Sequence, residues 1–217
     1  MGIFRELSKL VPNKGVRSIA RKVGSATDKA VAHGAYEADR AAFFAEAERT
    51  GERTTRAEFP VLPKTLAELI SSPYHDLRTP INTAALFVAA LNVFNQNREE
   101  SISMINHLRG SNPITADEIR MLDKSLAQNN TGGYFARSYL EGATPQNGYS
   151  PSQPYTVIVT DNPYTYLDTN GEKEYANLMV RCGGSEHPRS VTMRKAGNGL
   201  WYLWEHALLD DICDPVE

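Results

Sequence analysis

The stretch Ile81–Phe94, INTAALFVAALNVF, constrains the fold of this chain more than any other part of its sequence. Its apolar residues lie on nearly all sides of a helix, which is typical of a helix that is buried on most sides. Thr79 and Pro80 predict the helix start, because a hydroxyl caps the first turn and proline suits the first helical position. With 14 residues, the stretch is shorter than the roughly 20 residues of a membrane-spanning helix. We therefore predict the central helix of a globular domain.

Capped helices and β-branched strands surround this helix in a simple order. Asn97 and Thr115 are the expected caps of two further helices, and Thr115 opens a full capping box. The pattern then changes to short β-branched or aromatic segments joined by turns, at 155–160, 175–181, 190–194 and 200–206. Helices followed by consecutive strands predict an α+β fold, in which a helical N-terminal half packs against an antiparallel sheet of about four strands.

The first 58 residues differ from the remainder in charge and in pattern. Residues 1–32 hold seven Lys or Arg against Glu6 and Asp28, a net charge of +5, so the remainder of a chain of net charge −3 carries −8. Apolar residues recur at helical spacing over 3–31, whereas TGERTTRAE at 50–58 has no apolar periodicity. We predict a basic, amphipathic helical extension and linker at 1–58, followed by one α+β domain at 59–217.

The basic residues of this extension form a candidate docking face that comprises Arg5, Lys9, Arg17, Arg21 and Lys22. A cationic amphipathic helix binds an anionic membrane surface or an acidic partner. The alternative is that its apolar stripe packs on its own domain or on a second copy. Aromatic residues do not interleave with the basic ones, which argues against nucleic acid as a partner.

The aromatic-rich segment Gly132–Tyr166 joins the helices to the strands and holds six tyrosines and four prolines. Ordinary connections have roughly 4–6 residues, so we expect that this segment is not a passive linker. Tyrosine and tryptophan are favoured at recognition surfaces, because they offer a large contact area at small entropy cost. The candidate interaction surface comprises Tyr134, Tyr139, Tyr149, Tyr164, Tyr166, Trp201 and Trp204. Alternatively the rings complete the core, and inner rings can pack while outer ones bind.

The sequence contains no Gly-rich phosphate loop, nucleophile elbow, HExxH or CxxC motif. Its five histidines have no second His or Cys at metal-ligand spacing, so we expect no metal and no cofactor. Weaker catalytic candidates are the His75–Asp76 pair, the Glu205–His206 pair and Cys182 as a nucleophile. Each has an ordinary structural explanation, and we favour a protein without enzymatic activity.

The segments EGATPQNGYSP at 141–151 and WYLWE at 201–205 resemble a bacterial domain family of unknown function that is found in short cytosolic proteins. The similarity includes LPKTLAEL at 62–69 and AALFVAAL at 84–91, and it covers about Leu62–Ile212. The resemblance implies a single domain and cytoplasmic residence, but no reaction and no catalytic residues. Two cysteines without a secretory signal are also typical of reduced thiols in the cytoplasm.

The charge asymmetry and the aromatic-rich segment favour a protein-interaction or self-association module. One alternative is a peripheral membrane protein attached through residues 3–31. Another is a small-ligand binder or enzyme with an aromatic pocket between the aromatic-rich segment and the last strand. A deep cavity with converging polar groups would favour that alternative.

Overall fold

The computed structural model describes residues 51–128, 133–162, 165–168, 174–209 and 212–216. Its helices are α1 (Leu66–Ile70), α2 (Pro80–Val93), α3 (Arg98–Arg109), α4 (Ala116–Leu122) and α5 (Tyr134–Arg137). A π-helical turn, Asp123–Gln128, follows α4, and a 3-10 turn spans Pro145–Asn147. The strands are β1 (Arg53–Phe59), β2 (Tyr155–Asp161), β3 (Tyr166–Asp168), β4 (Glu174–Val180), β5 (Arg189–Lys195) and β6 (Trp201–His206).

The strands form one antiparallel sheet in the order β1-β2-β4-β5-β6. One edge of β4 is shared: β2 pairs with its C-terminal end through Val159↔Val180, and β3 pairs with its N-terminal end through Tyr166↔Ala176. The predicted α+β class is confirmed, as are the four predicted strands. The sheet path has five strands, because β1 adds to the four that the sequence indicates.

A linker is predicted at 50–58, and strand β1 shows that this prediction is wrong for residues 53–58. The strand pairs with β2 from Arg53↔Asp161 to Phe59↔Tyr155. Its sequence RTTRAEF buries only Ala57 and Phe59, so it carries little of the apolar signal that marks a strand. The second compact unit of the chain accordingly begins at Gly51. Residues 1–50, with the predicted extension and its basic face, lie outside the described residues.

Helix α2 lies at the centre of the domain. It packs against strands of the sheet, against α3 and against α5, and 11 of its 14 residues are buried. Two buried hydroxyls tie it to its neighbours: Thr83 Oγ1 donates to the Trp201 carbonyl, and Ser101 Oγ donates to the Ala90 carbonyl. The predicted all-round burial is confirmed. Among the described helices, none is long and apolar enough to cross a membrane.

The aromatic-rich segment is built into the sheet. Leu140 bridges to Val157, and the Glu141 N–H donates to the Thr156 carbonyl over 2.8 Å, so the chain at 140–141 lies beside β2 where β4 does not reach. The Gly183 N–H donates to the Ser138 carbonyl, also over 2.8 Å. A Cβ on Gly183 would lie 1.7 Å from the Ala143 carbonyl oxygen, so only glycine permits this close approach. The segment is therefore a packed seam between helices and sheet.

Candidate functional site

Three of the predicted contact tyrosines are buried and form a tyrosine cluster: Tyr134, Tyr139 and Tyr149. Their hydroxyls hold the C-terminal segment, which comprises residues 208–209 and 212–216. Tyr139 donates to the Leu208 carbonyl and Tyr149 to the Cys213 carbonyl, while Tyr134 donates to a carboxylate oxygen of Asp214. These rings are therefore not an exposed interaction surface. They bind the end of their own chain.

Electrostatics in the tyrosine cluster favour neutral phenols. Burial, together with the hydrogen bond to Asp214, raises the pKa of Tyr134 to about 12. Burial is also the main reason that the pKa of Tyr149 is raised. A phenol that stays protonated remains a hydrogen-bond donor, so the contacts with the C-terminal segment persist throughout the neutral range.

The remaining predicted surface residues do not form one patch. Trp201 is buried, and its backbone N–H donates to the Leu77 carbonyl. Tyr166 is 46% exposed and meets the edge of the Trp201 ring, with the ring centroids 6.1 Å apart. Trp204 lies elsewhere in the sheet, where the Arg194 guanidinium carbon is 4.1 Å from its ring centroid. Tyr164 lies outside the described residues. Among the members of this set that the structure describes, Tyr166 and Trp204 therefore remain candidates for contacts with a partner.

The C-terminal segment packs against the aromatic-rich segment on the side that carries the tyrosine cluster. Ile212 and Leu208 are buried there. A Cβ on Gly184 would lie 2.3 Å from the Tyr149 hydroxyl oxygen and 2.4 Å from Ile212 Cγ2, which shows how closely the three residues pack.

A groove of about 460 Å³ opens at a different place. Four stretches of the chain meet around it: residues 60–64 before α1, the end of α2 with the turn after it, α5 with its flanking residues, and residues 151–155, which lead into β2. We call this site the groove. Apolar groups dominate its walls, with Leu91 and Leu140 buried behind it and Val61 70% exposed at its rim.

Polar groups in the groove walls are held in fixed positions. Asn92 Nδ2 donates to the Val88 carbonyl in its own helix and, over 3.0 Å, to the Ala136 carbonyl of α5. Arg137 Nε donates to the Tyr149 carbonyl over 3.1 Å, which connects the groove wall with the tyrosine cluster. Burial lowers the pKa of Arg137. Lys64 is the other cation of the described lining, and that lining contains no Asp, Glu, His or Cys.

A smaller cleft of about 350 Å³ contains the predicted acid–base pair His75 and Asp76, together with His107 and Tyr202. Each member of the pair is bound to its own loop. His75 Nδ1 lies 2.7 Å from the Ser72 carbonyl oxygen, and Asp76 accepts from the Arg78 N–H. Within the ranges that the structure describes, no group of three His, Cys, Asp or Glu is placed to hold a metal ion.

The other catalytic candidates have structural surroundings. His206 packs on the Phe87 ring, with the centroids 4.8 Å apart, and burial lowers its pKa to about 4. Glu205 beside it is exposed. Cys182 is buried, and its Sγ donates to Ser138 Oγ. The geometry therefore places His206 and Cys182 in the packing of the domain, and none of the three residues lines the groove.

Sequence reasoning missed the groove, because no motif marks it. The sequence does contain three prolines in the groove lining, Pro60, Pro63 and Pro151. Proline restricts the backbone, so these residues stiffen two walls of the groove. Nothing local shows that these prolines approach the end of α2. That proximity follows from the pairing of β1 with β2, which brings residue 60 beside residue 154.

A family model described as Domain of unknown function (DUF6935) matches residues 61–216. All described lining residues of the groove except Pro60 fall within the match. Neither a curated protein nor a solved structure matches the chain.

Proposed function

The chain belongs to the DUF6935 family, and we propose that its domain is a non-enzymatic protein-interaction module that binds a partner segment in the groove. The observation that carries the proposal is the groove itself. It combines apolar walls with fixed amides and has a volume of about 460 Å³. Val61, Asn95 and Gln96 in its lining are exposed, so the site is an open groove and not the deep cavity that would favour a small ligand. Apolar grooves of this kind accept a segment of a partner protein.

The composition of the groove favours binding over catalysis. Its described lining has no carboxylate, imidazole or thiol, and these are the groups that most often transfer protons or attack a substrate. Asn95, Gln96 and Gln153 instead contribute exposed amides along the lining. A side-chain amide both donates and accepts hydrogen bonds, so it can pair with the backbone of a bound segment.

The proposal is tested by selecting binders from a random dodecamer library displayed on phage, with the full-length protein as bait. Val61→Glu places a charge on the apolar rim, and Met121→Glu makes the same kind of change at an exposed position on α4. We expect selected phage to bind the wild type and Met121→Glu alike, and Val61→Glu at least roughly tenfold more weakly, as loss of about 1.4 kcal/mol implies. A failure to select any binder, or equal binding to all three proteins, would overturn the proposal.

A second proposal is peripheral membrane attachment through residues 3–31, which the sequence favours by its amphipathic pattern and its local net charge of +5 over residues 1–32. The test is co-sedimentation of the full-length protein with phosphatidylserine vesicles. We expect binding that salt weakens and that the double variant Arg17→Glu/Arg21→Glu loses. The matched variant Arg120→Glu/Lys124→Glu should still bind. Absence of binding at low salt contradicts this proposal.

We further propose that the protein acts in the cytoplasm. Both cysteines are free thiols, with Cys182 buried and Cys213 exposed, as a reducing compartment maintains them. The measurement is the location of a fluorescent fusion of the full-length protein, and accumulation outside the cytoplasm would contradict the proposal.

A further inference from the structure

We propose that the segment bound in the groove is extended and acidic, with apolar side chains alternating with carboxylates. This inference rests on the proposed function of the groove and adds the chemical class of the partner. It is carried by charge complementarity between the groove and such a segment, and by the arrangement of apolar and amide groups in the groove walls.

The charge of the groove differs from the charge of the domain around it. Residues 51–217 hold 14 Lys and Arg against 20 Asp and Glu, so this part of the chain has an excess of negative charge. The described lining of the groove reverses the sign, since Lys64 and Arg137 are its charged residues. The groove therefore offers a carboxylate a local positive charge within a domain whose net charge is negative.

The two cations lie in different surroundings and contribute differently. Arg137 is partly buried, and burial lowers its pKa, because its charge has lost part of its hydration. A carboxylate close to a partly desolvated cation is worth more than one at the open surface. Lys64 is exposed at the rim, where its backbone N–H is bound by the carboxylate of Glu68 in the first turn of α1. Its contribution depends more strongly on salt.

The other walls fit the uncharged parts of an extended segment. Side chains of an extended chain point alternately to opposite sides, so one set can contact Val61 and Leu62 while the other faces the polar side chains of the lining. Asn95 and Gln96 supply the donors and acceptors that the backbone of an extended segment requires, since such a segment has no internal hydrogen bonds. A helical partner would already satisfy its backbone N–H and carbonyl groups through its own internal hydrogen bonds.

Three phage-displayed dodecamer libraries test the inference on the full-length protein. Every second position is randomised over Val, Leu, Ile and Phe, and the alternate positions are fixed as Glu, Gln or Lys. We expect at least roughly tenfold more phage to be recovered from the Glu library than from the Gln library, because a charge-assisted hydrogen bond is stronger than a neutral one. The Lys library should give the lowest recovery, and salt should reduce the advantage of the Glu library.

Charge reversal at the groove supplies the matched control. Lys64→Glu should abolish the preference for the Glu library, whereas Lys124→Glu, an equal charge change at an exposed position after α4, should leave it unchanged. Equal recovery from the Glu and Gln libraries, with binding still lost in Val61→Glu, would overturn the acidic class but leave the groove as an interaction site. Equal effects of Lys64→Glu and Lys124→Glu would also overturn it. Absence of binding from all three libraries and from the random library would overturn both proposals.

Discussion

The tyrosine cluster and one wall of the groove belong to the same aromatic-rich segment, yet the cluster is filled and the groove is open. In the cluster, three rings point inward and their hydroxyls bind the C-terminal segment. In the groove, residues of the same segment such as Pro151 and Gln153 line a space of about 460 Å³. Arg137 touches both, because it lines the groove and donates to the Tyr149 carbonyl. The comparison shows that one aromatic-rich segment buries some of its rings, while other residues of the same segment line an open groove.

The largest difference between the two regions should be seen when rings are removed. Tyr149→Ala deletes a fully buried ring, and we expect it to lower the free energy of unfolding by about 3–5 kcal/mol. Tyr166→Ala in the same sequence segment removes a ring that is 46% exposed and should cost roughly 1 kcal/mol or less. Urea denaturation of the full-length protein measures both changes. Equal losses of stability would show that the two tyrosines contribute alike in spite of their different burial.

A glycine tests how tightly the C-terminal segment fills the cluster. Gly184→Ala would place a methyl group against the Tyr149 hydroxyl and Ile212, and we expect a loss of about 1–3 kcal/mol from overpacking. Gly197→Ala is the matched control, because nothing lies within 4 Å of its Cβ position, so its change should stay within about 0.5 kcal/mol. The measurement is again urea denaturation. A neutral Gly184→Ala would mean that the C-terminal segment moves aside without cost.

A pH titration tests the hydrogen bond between Tyr134 and Asp214. The pKa of Tyr134 is raised to about 12, against about 10 in an unfolded chain. The folded state therefore binds more protons between these values, so stability is fully present below about pH 10 and is lost as pH rises towards 12. Tyr134→Phe should cost about 1 kcal/mol at neutral pH and should lose less stability across the alkaline window. Identical pH profiles for the two proteins would contradict this assignment.

The smallest effect on stability is expected at the groove. Val61 is 70% exposed, so Val61→Glu should change the free energy of unfolding by less than about 0.5 kcal/mol while it weakens binding in the phage experiments. Thermal denaturation of the full-length variant checks the first part. A large destabilisation would show that the rim of the groove is part of the core, and the contrast with the tyrosine cluster would fail.

Most of the fold could be predicted from the sequence, because its signals are local. The Thr79–Pro80 start of α2, the capping box at Thr115 and Glu118, and the four β-branched strands all lie where the residue pattern places them. Strand β1 was missed, because its outward residues are polar and its inward ones include only two that are buried. The resemblance to a domain family of unknown function over Leu62–Ile212 is confirmed by the family match over 61–216.

The candidate site could be predicted only in part. Tyrosine content marked the aromatic-rich segment as important, but it did not distinguish Tyr149, which is buried, from Tyr166, which is not. That distinction depends on a C-terminal segment more than 60 residues away in sequence, since Tyr149 binds Cys213. No periodicity within a short window can contain such information.

By itself the sequence determined the central helix, its caps, the strands of strong β propensity and the family. These features depend on hydrophobic periodicity and backbone preference within a few residues of each position. Only the tertiary structure decided that β1 belongs to the sheet, that the tyrosine hydroxyls hold the end of the chain, and that a groove opens between residues 60–64 and 151–155. The physical reason is that burial and cavity shape depend on which distant segments pair, and antiparallel pairing of β1 with β2 is what brings these two stretches together.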